Sequence, residues 1–196
     1  MKKPHKLANQ TSLQETARIP PVVIRHIGGL MKTLTLTDSS QMQTYLAQVW
    51  DLLVASYADV SGGLHYSEPA ELLAKTQRWR LVLYRGQVIA ATLLKAKRGW
   101  KLVAMATCRQ HRQRARNAMR RLICADLPRA WMELSEHAER FVLRCCGGHH
   151  YLIHSSLAAA LLDKQIEPVA EDGYHYRRTV AGLVKAKIMV GTPISC

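Results

Sequence analysis

Apolar residues recur along this chain with two periods, and each period marks out elements. From Leu34 the pattern alternates, with Leu34 and Leu36 set between threonines in KTLTLTDSS, which predicts a strand running into a helix N-cap. The stretch that follows, QMQTYLAQVWDLLVASYADV, carries Tyr45, Leu46, Val49, Leu52, Leu53 and Tyr57 at helical spacing, so one amphipathic helix is expected up to the break at Ser61-Gly62-Gly63. A second, shorter helix is expected in SEPAELLAKTQRW, with Ser67 as N-cap, Pro69 in the first turn and Glu71 near the positive helix end.

Residues 80–107 read as three antiparallel strands, RLVLYRG, QVIAATLLKAK and WKLVAMATC, joined by short glycine turns. A helix is expected in RQHRQRARNAMRRLICADL, with Ala115, Ala118, Met119, Leu122 and Ile123 on one side, arginines around the rest and Pro128 as its stop. RAWMELS at 129–135 is then a strand, HAERFVLRCCGG a helix closed by glycines, SSLAAALLDKQ a small helix, GYHYRRTVAG a strand, and LVKAKIMVG its partner or the cover of an edge. The order predicts an α/β (α+β) fold with a mixed, mainly antiparallel central sheet flanked by helices. No repeat is visible at periods of about 20–50 residues, which excludes solenoids and propellers.

Residues 1–30 are polar and basic, with Pro4 and Pro20-Pro21, and are expected to form a flexible arm ahead of a domain over 31–196. Within that arm, PVVIRHIGG fits either a short strand or more of the arm. No apolar run approaches the roughly 18–20 residues of a membrane span and no signal-peptide core is present, so a soluble cytoplasmic protein without membrane contact is expected. The five cysteines, an odd number, are expected to be reduced thiols. Cys145-Cys146 beside His149-His150 lacks the paired spacing of a zinc site, and no metal is expected.

Charge changes this picture most. Lys and Arg number 28 against 14 Asp and Glu, a formal net charge of +14 that favours a polyanionic partner. Six of the arginines fall within 109–121, and no acidic residue occurs from 99 to 125. Three readings of that cluster stay open: a solvated helix face, a seat for cofactor phosphates, or a nucleic-acid surface using Arg112, Arg114, Arg116 and Arg120.

A meander feeding a helix, followed by a crossover strand and helix, resembles the GNAT N-acetyltransferase fold. In that family the strand before the central helix splays from its neighbour, and a Gln/Arg-x-x-Gly-x-Gly/Ala turn at the helix start cradles the pyrophosphate of acyl-coenzyme A, where exposed N–H groups and the helix dipole favour phosphate. The resemblance assigns that turn to Gln110, Arg112, Gln113, Arg114 and Ala115, with Gln113 in place of the central glycine, and implies acetyl-CoA or another acyl-CoA as cofactor. Arginine forks pair well with phosphate and offer compensation for the missing glycine. WMELSEHAERFVLRCCGG resembles the family's second motif, although Leu143 stands where a general-acid tyrosine is often found. A narrower likeness runs to phage- and mobile-element-encoded GNAT-like proteins, through SEPAELL, WRLVLYRGQVIAATLLKAKRGWK, WMELSEHAE and EDGYHYRR.

Three further constellations can carry chemistry. In EDGYHYRR, His175 titrates near neutrality and Tyr174 or Tyr176 can protonate a thiolate; the plain reading is an amphipathic edge strand. Glu133 and Ser135 share one strand face, where Glu133 suits a base for an amine; equally, this segment caps the next helix. His65 and Tyr66 belong either to an acceptor wall or to a simple helix–helix turn. Two functions follow as expectations. One is a divergent acyltransferase passing an acyl group from coenzyme A to an amine acceptor, a nucleobase or a group that travels with nucleic acid. The other is a non-enzymatic nucleic-acid- or partner-binding module on the same fold.

Overall fold

The computed structural model describes residues 26–27, 30–60, 63–74, 77–96, 100–126, 130–135, 138–142, 150–153, 174–179 and 182–191. Their strands are β1 (His26–Ile27), β2 (Met31–Leu36), β3 (Gln77–Tyr84), β4 (Gln87–Ala96), β5 (Trp100–Thr107), β6 (Ala130–Ser135), β7 (His150–Ile153), β8 (His175–Thr179) and β9 (Gly182–Gly191). They form one sheet in the order β1-β2-β3-β4-β5-β6-β9-β7, with β8 also paired to β9. Only β5 and β6 are parallel among the described pairs. The expected mixed, mainly antiparallel sheet is therefore present, and it reaches back to His26–Ile27, within the stretch read as an arm. Ala186 pairs with Ser135 on one side and His175 on the other, while Ile188 pairs with Glu133 and Ile153. Thus β7 and β8 share the edge of β9 that faces away from β6.

The β3–β4 connection has the two-residue geometry that matches strand twist. Arg85 has φ 50° and Gly86 φ 82°, both left-handed as this turn requires. Two bulges follow. One residue, Ile89, is extra on β4 between the pairs Val82–Ala90 and Leu83–Val88; another, Val103, is extra on β5 between Leu93–Ala104 and Leu94–Leu102. The second bulge decides the architecture. On a regular strand Leu102, Ala104 and Ala106 would share a face, but here Leu102 packs in one core and Ala104 and Ala106 in the other.

Those two cores lie on opposite faces. On the first sits α3 (Arg112–Asp126), whose Ala115, Ala118, Met119, Leu122 and Ile123 are at most 2% exposed, as the helical spacing predicts. Burying each of the three large ones contributes roughly 1.5–3 kcal/mol. On the second face sit α1 (Ser39–Gln43), α2 (Leu46–Tyr57) and a 3₁₀ turn at Pro69–Leu73.

The single helix expected up to residue 60 is two. Asp38 caps α1 by accepting from Ser40 N at 2.6 Å; the Ser40 side chain first, and then this amide, holds its carboxyl below the usual range, and Tyr45, at φ −112° and ψ 2°, breaks the chain before α2. The break lets Met42 and Val49 both reach the core, at 2% and 0% exposure. The second helix shrinks to a 3₁₀ turn with Glu68, not Ser67, as its cap, in a reciprocal box with Glu71. Ser67 instead donates its amide to Glu71 Oε1 at 2.8 Å. Strand β7 is an addition to the expected elements, whereas the small helix expected at 155–165 lies outside the described residues. No described helix is long and apolar enough to cross a membrane.

Candidate functional site

The parallel pair β5 and β6 is joined only at its start, by Trp100–Ala130, Lys101–Trp131 and Leu102–Met132. Beyond the Val103 bulge the two strands part, because a bulge bends its strand and increases its twist. The result is a fork. The amides of Met105 and Thr107 belong to the side of β5 turned from β4, and α2 meets them with hydroxyls: Tyr57 Oη accepts from Met105 N and Ser56 Oγ from Thr107 N, each at 3.3 Å. These bonds are at the long end of the useful range, so the edge is satisfied without being sealed.

A polar row crosses the sheet at the base of the fork, on the α2 side. Lys101 Nζ donates to Glu133 Oε2 at 2.5 Å, and the two side chains are only 9% and 3% exposed. His175 Nε2 lies 3.9 Å from Glu133 Oε1 and its side chain is 5% exposed. The row continues through aromatic faces, with Lys101 Nζ 4.6 Å from the Trp131 ring and Lys95 Nζ 5.3 Å from the Tyr66 ring. Lys95 and Lys101 are direct cross-strand partners, a like-charge contact that Glu133 and the two rings offset. Burial pushes the Tyr66 phenol well above its ordinary range, and nearby Tyr57 and Glu71 add to the shift. Above about pH 10 the unfolded phenol loses its proton while the folded one keeps it, so stability falls as pH rises. Alkaline unfolding followed by circular dichroism should lose part of that slope in Tyr66→Phe.

At the open end of the fork α3 begins. The first helical bond there runs from Ala115 N to His111 O at 2.8 Å, and the amides of Arg112, Gln113 and Arg114 have no protein acceptor among the described residues. Arg112, Gln113 and Arg114 are exposed, while Ala115 is fully buried beneath them. Gln113 therefore points its side chain outward and leaves the amide row open. Tyr84, at the tip of β3, meets His111 edge-on at 5.2 Å and carries the Arg114 guanidinium 4.9 Å from its ring. Arg109 pairs with Asp59 at 2.8 Å at the surface.

The structure thus brings together Glu133 and His175 of the expected catalytic set. It separates the others. Along β8 His175 faces inward while Tyr176 is 54% exposed on the opposite face. Tyr174 belongs to that opposite face too: its hydroxyl donates to Glu139 at 2.6 Å and its ring lies under Lys185 and Lys187. Both tyrosines are across the sheet from Glu133. His65 is exposed and touches Tyr66 edge-on at 5.7 Å, so its neighbour, not His65, reaches the polar row. Ser135 plays the capping part, its Oγ accepting from Ala138 N at 3.5 Å. Ala115 is core packing beneath the exposed start of α3. Arg116 and Arg120 are exposed along α3. Leu143, Cys145, Cys146 and His149 lie outside the described residues. Sequence reasoning missed Lys101, Ser56 and Tyr57; the one available signal was a lysine inside the apolar run WKLVAMA.

No protein-family model matches the chain, and no curated protein matches it in sequence. Among solved structures it superposes on RimL, a ribosomal L7/L12 α-N-protein acetyltransferase in complex with coenzyme A, with a TM-score of 0.50 at 9% identity, covering 87% of this chain and 99% of that one. The ribosomal-protein-S18-alanine N-acetyltransferase from Escherichia coli gives 0.49 at 17% identity over 85% and 96% of the two chains. An N-acetyltransferase from Staphylococcus aureus Mu50 gives 0.47 at 10% identity over 85% and 99%. The sheet order, the fork between its parallel strands and the helix that opens beside the fork are, with the RimL superposition, those of the GNAT N-acetyltransferase fold, and that is the fold of this chain.

Proposed function

We propose that the protein is an acyl-CoA-dependent N-acyltransferase acting on an amine acceptor. One observation carries the reading: a buried carboxylate, Glu133, stands at the base of a fork whose open end holds three unpartnered helix amides among arginines. Acyl-CoA, when bound, supplies a thioester carbonyl for an amine to attack and a thiolate as leaving group. The chain's own groups fit such a molecule. The amides of Arg112, Gln113 and Arg114, with the Arg112 and Arg114 side chains, would hold its phosphates. The loosely satisfied edge of β5 at Met105 and Thr107 suits an extended, amide-bearing chain.

An amine at neutral pH is mostly ammonium and attacks only after giving up a proton. Glu133 is the group to take it, directly or through His175, 3.9 Å away. Lys101 keeps one carboxylate oxygen fixed at 2.5 Å, which leaves the other facing His175. Tyr66 borders the acceptor side of the row as a neutral phenol. Because Tyr174 and Tyr176 lie across the sheet, they are given no role in protonating a thiolate.

Titration calorimetry with acetyl-CoA is the direct test. The wild type should bind, and Arg112→Gln/Arg114→Gln should weaken binding at least tenfold, the loss growing at low salt because charge-assisted contacts to phosphate are removed. Absence of binding heat in the wild type would end the reading and favour the non-enzymatic module, for which Gln113 in the glycine position of the turn is the supporting feature.

A further inference from the structure

Helix α3 is electrostatically unfavourable as it stands. Arg112, Arg116 and Arg120 follow one another at i, i+4 on one flank of its outward face, and Arg114 and Arg121, seven apart, lie on the other, all exposed. Like charges at that spacing each cost a helix roughly 0.2–0.5 kcal/mol. The first turn holds no acid, so its arginines also oppose the positive end of the helix dipole. Among the described residues Arg109 alone of this cluster pairs with a carboxylate, Asp59. Solubility alone calls for interspersed signs, not for two rows of one sign.

The size of the patch separates a polymer from a small anion. From Arg112 to Arg121 the helix rises about 13 Å, more than one phosphate or pyrophosphate can occupy. Exposed Gln113 and Asn117 lie between the two rows. A helix flanked by cations with amides at its centre matches the major groove of B-form DNA, about 12 Å wide, which admits a helix between two phosphate backbones. We propose that the outward face of α3 docks on double-stranded DNA. Arg112, Arg116 and Arg120 meet the phosphates of one strand, Arg114 and Arg121 those of the other, and Gln113 and Asn117 face the base edges. The inference rests on α3 and is independent of acyl transfer, except that Arg112 and Arg114 serve both partners, so coenzyme and DNA compete at the first turn.

The test is fluorescence anisotropy of the full chain with a labelled duplex of about 20 base pairs and arbitrary sequence, between about 50 and 200 mM salt. With five arginines engaged, log K should fall against log salt with a slope of about −4.5. Arg116→Gln/Arg120→Gln/Arg121→Gln should reduce that slope by about 2.7 and affinity at 0.1 M salt by about 10²-fold or more, with acetyl-CoA affinity unchanged and the melting temperature not lowered but slightly raised, since two like-charge i, i+4 pairs are removed. The corresponding triple lysine variant should keep the slope. Equal slopes in the wild type and the glutamine variant overturn the proposal. So does tighter binding to single-stranded RNA of the same length, or displacement of the duplex by polyglutamate at equal charge concentration, which would assign the patch to RNA or to an acidic protein.

Discussion

Glu133→Ala is expected to cost about 3–5 kcal/mol of stability, because it takes the countercharge from the buried Lys101 ammonium in a pair whose side chains are 9% and 3% exposed. Typical domains have only about 5–15 kcal/mol in total, and at this chain length the melting temperature should fall by about 10 °C. The paired replacement Lys101→Met/Glu133→Leu should recover most of that loss, since it removes both charges and keeps the volume. Activity should separate from stability. If Glu133 takes the acceptor's proton, Glu133→Gln keeps an acceptor for Lys101 yet lowers kcat about 10²–10⁴-fold, and the folded double variant is equally inactive. Thermal melts beside steady-state acetyl transfer check both parts. A double variant as unstable as Glu133→Ala would refute the countercharge argument, and a Glu133→Gln enzyme of near-normal kcat would remove Glu133 from proton transfer.

How much of this was readable beforehand depended on whether one strong period set each element. The meander at 80–107 was legible because its apolar, β-rich runs are bounded by short glycine turns, and α3 because its helical spacing is uninterrupted; all five residues assigned to the inner side of α3 are buried. The α1–α2 break was not, because Tyr45 fits a helical pattern and only its backbone, at ψ 2°, departs from it. The 3₁₀ turn was shortened by a demand from elsewhere, since Gln77 must already enter β3 opposite Lys95. At the site, Glu133 and His175 could be nominated by residue type, but their partnership depends on β9 standing between β6 and β8. The same topology sends Tyr174 and Tyr176 to the far face, which alternation alone could not fix relative to Glu133. Lys101 was hidden because a strand that crosses a bulge changes face, so the period on one side of Val103 says nothing about the other.

Outside the polar row, Trp79 is the largest fully buried side chain among the described residues. Its side chain is 2% exposed in the α2-side core, and its indole N–H donates to Leu72 O at 3.2 Å, across to the 3₁₀ turn. Trp79→Ala should therefore cost about 3–5 kcal/mol through the cavity it opens. Trp79→Phe, which keeps most of the volume but leaves Leu72 O without that donor, should cost about 1–3 kcal/mol. The two variants also differ from a simple core defect in where they act. Leu72, 1% exposed, anchors the segment that runs on from Tyr66, and Tyr66 is the ring against Lys95 at the end of the polar row. If Tyr66 borders the acceptor and the start of α3 holds the coenzyme, as proposed, loosening that anchor should raise KM for the acceptor severalfold in Trp79→Phe while leaving acetyl-CoA affinity unchanged, since the amides at the start of α3 lie on the opposite face. Urea titration and paired KM and calorimetric measurements on the phenylalanine variant decide it. A parallel loss of coenzyme affinity would show that the two faces are mechanically coupled through β4 and that Trp79 supports the whole fork, not the acceptor side alone.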